Sequence, residues 1–228
     1  MRGPRTGDNP AEGSVEFLPE TKLPAIAYCV HDGLSRFHGW ASRMKALIRI
    51  ALVVLLTLAA IVIHETGHFL VYTAAGYPTA ITLQSVTPVG DVEPVLGHWA
   101  MLAGPVMSWI AAVILLIAAA GRPAFTWAAA AFTNASLRLF PCGMDLVRAL
   151  TNSHPFSDEG DVAMALTTSP IGRSAILLLA IAVSMTLTVL AARRFRFAHW
   201  SALKSLGVYA LSLAVGIAVI IADELIRG

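Results

Sequence analysis

The sequence predicts an all-α integral membrane protein, a bundle of about five transmembrane helices with a small β-like insertion after the first. Of its 228 residues, 57% are hydrophobic and only 13% are charged, where soluble domains carry about 25% charged residues. The mean hydropathy is +0.71. The apolar residues are also gathered into runs near the length of about 20 that crosses a bilayer as a helix. Such a chain has too little charged surface to fold in water, so the lipid bilayer must cover much of it.

Residues 1–44 read as a polar N-terminal tail and residues 45–228 as the membrane-embedded domain. The first 35 residues are dominated by Gly, Pro and Glu. They lack the basic-then-apolar order of a cleavable signal, so a partly disordered cytoplasmic tail is expected. The first span begins near Ala46 and continues across His64-Glu65-Thr66-Gly67-His68 to about Tyr72. The second runs from about Met101 to Ala120. The third, about Ala124 to Phe140, is short, rich in alanine, and interrupted by Asn134 and Arg138. Gly121-Arg122-Pro123 is so brief that these two spans must form a tight antiparallel hairpin. The fourth runs from Ser174 to Ala192 and the fifth from about Leu203 to Ile221. Between the first and second, Thr79 to Val89 is polar and β-branched enough to suggest strand.

Charge placement sets the expected orientation. Arg36, Arg43, Lys45 and Arg49 precede the first span, Arg122 separates the second from the third, and Arg193, Arg194, Arg196 and Lys204 lie between the fourth and fifth. The stretch Thr73 to Ala100 has no Lys or Arg. By the positive-inside rule the N-terminus lies inside and the C-terminus outside. A net charge of +2 gives no sign of nucleic-acid binding. Cys29 and Cys142 are far apart in sequence, form no metal-ligand pair and read as free thiols.

The chemistry is concentrated at His64, Glu65 and His68. His-Glu-x-x-His on a helix puts two imidazoles on one face, where both reach a single Zn²⁺. Zinc lowers the pKa of a coordinated water toward about 7, and Glu65 stands beside it as a general base. As ordinary helix residues at the end of an apolar run, an unpaired glutamate and two histidines would cost several kcal/mol to bury. A metal removes that cost.

The apolar helix carrying HETGHFL, followed by AAGYP, a polar strand-like segment and Leu102-Ala103-Gly104-Pro105 opening another span, resembles the site-2 protease family. The resemblance covers about Ile61 to Thr167. It implies a zinc intramembrane metalloprotease in which the strand segment, here Thr79 to Val89, presents substrate in extended form. It also implies an aspartate as third ligand, often within an Asn-x-x-Pro-…-Leu-Asp-Gly pattern. This chain departs from that pattern, offering Asn134, Pro141 and then Asp145 without a following glycine. Its Ser157-Asp158-Glu159-Gly160-Asp161 segment resembles a divergent bacterial branch in which a Ser-Asp pair opens a short amphipathic stretch. Asp158 is the favoured third metal ligand, with Asp161 and Asp145 as alternatives. The same resemblance suggests that Asn134 holds the substrate strand or polarises its carbonyl, and that the protein resides in a bacterial inner membrane.

His98, on the same outer side, is a candidate surrogate ligand or oxyanion donor, or an interfacial histidine bonded to headgroups. Gly104 and Pro105 suit close helix packing and a kink. The expected partner is a membrane-embedded protein substrate. Two rival functions are a catalytically inert relative that binds membrane partners and a zinc-binding transporter. Glu65 argues against both, since metal binding alone does not require it, and no inverted repeat supports a transporter. The orientation is checked directly with fused reporters. One placed after Pro94 is expected to read as outside and one after Arg196 as inside. The reverse at both sites would invert the proposed topology.

Overall fold

The computed structural model describes residues 23–82, 84–121, 125–196 and 202–227. It is an all-α membrane protein with one small sheet. In chain order the elements are α1 (Leu23–Ala74), β1 (Thr79–Ile81), β2 (Val86–Pro88), α2 (Pro94–Gly121), α3 (Phe125–Ser136), α4 (Leu139–Leu150), α5 (Asp158–Leu166), α6 (Pro170–Arg196) and α7 (Ala202–Arg227). The chain divides into two compact units, Met1–Leu47 and Ile48–Gly228. In the first, every described residue is helical. Helix α1 starts at Leu23, inside the stretch expected to be a disordered tail. Pro24 falls in its first turn, where the missing N–H costs nothing, and no proline follows before Ala74. Residues 1–22 and the side chain of Cys29 lie outside the described set, whereas Cys142 is a buried free thiol.

Among the described residues, four helical segments are long and apolar enough to cross a membrane: Arg43–Ala74, Pro94–Gly121, Pro170–Arg194 and Leu203–Ile226. They correspond to the first, second, fourth and fifth expected spans. No more than 28% of the apolar window in any of them is buried, so most of their surface is left for lipid. The third expected span is different. Helix α3 has 12 residues, about 18 Å at 1.5 Å per residue, against a hydrocarbon core of about 30 Å. Its last nine residues, Ala128 to Ser136, are all buried. It is an internal helix packed against α2 and α6 and touching α7. The break after it has a local cause. Pro141 cannot sit inside a continuous helix without losing a bond and clashing with the preceding turn. A turn at Leu137 and Arg138 lets α4 restart at Leu139, with Pro141 in its first turn.

Arg49 of α1 stacks over Phe125 at 5.9 Å from the ring centre, and Arg138 reaches His64 of α1. Helix α3 therefore runs in the same direction as α1. Helix α2 runs opposite to both, which agrees with the expected hairpin of second and third spans. Interhelical polar bonds add to this packing. Thr57 Oγ1 donates to Ser212 Oγ at 3.2 Å and Trp109 Nε1–H donates to Ser184 Oγ at 2.9 Å, each worth roughly 0.6 kcal/mol on average in a membrane.

Helix α1 ends in a Schellman motif. The Tyr77 N–H bonds the Tyr72 carbonyl and the Gly76 N–H bonds that of Thr73, both at 3.0 Å. Gly76 has φ +83°, a left-handed conformation that closes helices and favours glycine. The chain then forms the antiparallel pair β1–β2, with Thr79 opposite Pro88, Ala80 opposite Thr87 and Ile81 opposite Val86. This is the insertion expected between Thr79 and Val89.

Helices α1 and α2 approach each other closely at Gly67. Helix α2 turns Ala100, Gly104, Ser108 and Ala112 inward, one small residue every fourth position, a pattern that lets backbones approach. A Cβ on Gly67 would collide with the Ala103 carbonyl and the Gly104 backbone. Neither can yield as a flexible side chain would. Gly67→Ala is expected to destabilise the detergent-solubilised protein by roughly 1–3 kcal/mol, the usual cost of overpacking. An unchanged unfolding midpoint would show that the two helices can separate freely at this point.

Candidate metal centre

His64 and His68 are both buried and lie one turn apart on α1, with ring centroids 4.9 Å apart and nearly perpendicular rings. Helix α2 orients both. The His68 Nδ1–H donates to the Ala100 carbonyl at 2.7 Å. That bond fixes the tautomer and leaves the Nε2 lone pair free. Ser108 Oγ lies 3.3 Å from His64 Nδ1, and its hydroxyl can donate or accept as that ring requires. A Cβ on Gly104 would overlap both imidazoles, so this glycine provides the space in which they turn toward each other.

Asp158, the first residue of α5, completes the cluster. Its Oδ2 is 2.8 Å from His64 Nε2 and 3.5 Å from His68 Nε2, and the two Nε2 atoms are 3.2 Å apart. Ligand atoms around a tetrahedral zinc, with bonds of about 2.0–2.1 Å, stand about 3.3 Å from one another. The three atoms thus form a triangle of the size that one such ion requires. Three electron-rich atoms at this spacing need a proton or a cation between them. Burial alone would raise the Asp158 carboxyl. The hydrogen bonds with His64 and His68 and the Arg138 charge outweigh it, holding the group well below the ordinary carboxylate range. Glu65 offers a carboxylate oxygen within 4.8 Å of both imidazoles, yet Asp158 is closer to each. Asp158 could therefore hold a cation together with the two imidazoles, with the Glu65 carboxylate alongside.

The other aspartates are placed differently. Asp145 on α4 is 1% exposed, and its carboxylate is occupied by three donors. It accepts from Phe156 N–H at 2.5 Å, Ser157 N–H at 2.8 Å and Ser157 Oγ–H at 2.5 Å. Asp145 therefore pins the turn from which α5 springs, and through it the start of Asp158. Gly160 keeps that approach open, because a Cβ there would overlap the Asp145 carboxylate. Asp161 is half-buried on α5, its carboxyl raised by burial and by the Asp158 charge, and it does not join the imidazoles. His98 is exposed near the start of α2 and is likewise apart from the cluster.

A cavity of about 550 Å³ opens over the cluster. Glu65, Asn134 and Asp158 line it, as do Val86 and Thr87 of β2 and Ile217 of α7. Asn134 is buried, donating its Nδ2–H to the Ala130 carbonyl at 2.9 Å while its Oδ1 has no partner. Unpartnered buried acceptors are costly, so this atom is available to a donor entering the cavity.

Sequence reasoning did not assign roles to Ser108, Asp145 as a support, α7 as a wall, or Arg138 and Glu159. The last two form a buried pair in which Arg138 Nε–H donates to Glu159 Oε1 at 2.7 Å and Nη2–H donates to Oε2. Burial opposes ionisation of Glu159, but the Arg138 charge and hydrogen bonds keep its carboxyl below the usual range. The available signal was energetic. A buried arginine in an apolar run implies a carboxylate partner, though not which one.

Comparison with protein-family models, curated proteins and solved structures finds no match to the chain. Asp145→Asn would put an amide donor against the N–H groups of the Phe156–Ser157 turn. It is expected to cost roughly 1.5–3 kcal/mol of stability, the range for hydrogen bonds to a charged group, measured by unfolding in detergent. No change would mean that the turn is held by other contacts.

Proposed function

We propose that the chain is a zinc-dependent intramembrane endopeptidase, held in a bacterial inner membrane with its N-terminus cytoplasmic. The observation that carries this reading is the triangle of His64 Nε2, His68 Nε2 and Asp158 Oδ2, with Glu65 beside it and a cavity above. His64, His68 and Asp158 would hold the zinc, which when bound supplies a Lewis acid for the water and the peptide carbonyl. The resemblance of HETGH and the Ser157-Asp158 segment to site-2 proteases points the same way.

The chain's own residues account for the rest of the reaction. Among the described residues strand β2 pairs with β1 alone, and Val86 and Thr87 line the cavity, with the Val86 backbone N–H turned toward the Glu65 carboxylate. An extended peptide can add to the outer edge of β2 through main-chain bonds. A helical substrate must unwind to do so, because its carbonyls are otherwise bonded along the helix. The unpartnered Asn134 Oδ1 offers an acceptor for a substrate N–H. Glu65 takes a proton from the attacking water as the oxygen adds to the carbonyl carbon. It returns that proton to the amide nitrogen as the C–N bond breaks, leaving a carboxylate and an amine. A transporter reading fits less well, since metal binding alone does not require Glu65 and the sequence shows no inverted repeat.

The test uses full-length protein purified in detergent and a single-span reporter substrate with a Gly-Pro break in its span. The parent is expected to hold about one zinc per chain. Glu65→Gln is expected to keep the zinc and lose at least about 10²-fold in cleavage. Asp158→Asn is expected to lose most of both, while Asp161→Asn keeps both. A metal-free parent after zinc supplementation, or cleavage by Glu65→Gln at the parent rate, would overturn the assignment.

A further inference from the structure

Arg138 occupies the turn between α3 and α4, with its side chain 12% exposed and lining the cavity. Its guanidinium is committed on one edge only. Nε and Nη2 hold the Glu159 carboxylate, which fixes the plane of the group and balances its charge in a buried place. Nη2 also lies 3.5 Å from Asp158 Oδ2. The remaining end, Nη1, is 3.4 Å from His64 Nε2. That nitrogen has a single lone pair, and the proton or cation facing Asp158 claims it. With a metal in the triangle, Nη1 keeps two N–H donors beside the ligand atoms and has no acceptor for them in the cluster.

We propose that Arg138 is a catalytic residue, donating through Nη1 to the carbonyl oxygen of the scissile peptide as that oxygen gains negative charge. This rests on the metalloprotease reading and adds to it the group that receives the developing oxyanion. The role suits the geometry. The donor is fixed in advance by Glu159, is itself largely buried and needs no reorganisation when charge appears. Such preorganised donors contribute about 10²–10³ in kcat. The neighbouring Glu159 follows Asp158 directly, so the pair that aims Arg138 also anchors the helix carrying the third ligand.

The experiment uses the full chain in detergent with Co²⁺ in the site, whose visible bands report occupancy, and acetohydroxamate as an anionic oxygen probe. Arg138→Gln alone would leave Glu159 buried and unpaired and could disrupt folding. The informative variant is therefore the double change Arg138→Gln/Glu159→Gln, compared with Glu159→Gln and with Arg138→Lys. The double variant is expected to take up cobalt yet bind acetohydroxamate at least about tenfold more weakly than Glu159→Gln does. Arg138→Lys should lie between it and the parent. Cleavage by the zinc-loaded double variant should fall in kcat by about 10²–10³ with little change in KM. Unchanged hydroxamate affinity in the cobalt-loaded double variant would overturn the role of Arg138 and leave the metal centre standing. So would loss of cobalt from the double variant alone, since Arg138 would then only position Asp158. A parent chain that takes up no cobalt would remove both readings together.

Discussion

The site hangs on one close approach between two helix backbones. Where Gly67 of α1 meets Ala103 and Gly104 of α2, no side chain fits between them. The distance set there decides what the neighbouring turns can do. One turn to either side, the Ala100 carbonyl and the Ser108 hydroxyl come within hydrogen-bonding reach of His68 and His64. The same contact fixes two ring orientations, so both Nε2 atoms point at one place. Had α2 stood one methyl group further out, these bonds would lengthen beyond use and the imidazoles would turn independently.

The third donor arrives by a separate route, through the loop between α4 and α5. Asp145 gives up its own capacity as a ligand to hold the Phe156 and Ser157 backbone N–H groups. That turn then presents Asp158 at the head of α5, where a negative charge also meets the positive end of a helix. Two aspartates thus divide the work, one deep and fully bonded, the other at the cavity with an oxygen to spare. The Arg138–Glu159 pair ties the same helix start to the end of α3. Asp158 is held from both sides before any ligand is bound.

Much of this was legible in the chain, for identifiable reasons. The membrane class follows from composition, and four spans follow from runs long enough to cross a bilayer. His64, Glu65 and His68 are readable because helix periodicity alone brings them together. The third span reads in sequence as a single helix, whereas α3 ends at Ser136 and α4 restarts at Leu139, because hydropathy averages over a window and does not register that Pro141 forces a restart. Nor does it distinguish an alanine-rich helix facing protein from one facing lipid. The support given by Asp145 could not be seen, because its partners are backbone groups 11 and 12 residues away. Arg138 was visible only as an interruption, its carboxylate lying 21 residues further on in another helix. The α7 wall left no trace, as apolar residues facing a cavity follow the same pattern as those facing lipid.

The enclosure of α3 bears on how the molecule is made. A 12-residue helix with Thr133, Asn134 and Ser136 all buried has neither the length nor the greasy surface to persist in a bilayer by itself. It depends on α6, which is synthesised after it, and the cavity has no far wall until α7 exists. During translation the two histidines therefore enter the membrane long before the carboxylate that joins them, and before the helices that enclose them. The donor cluster and its cavity are therefore complete only once α7 has been synthesised and has packed against α3.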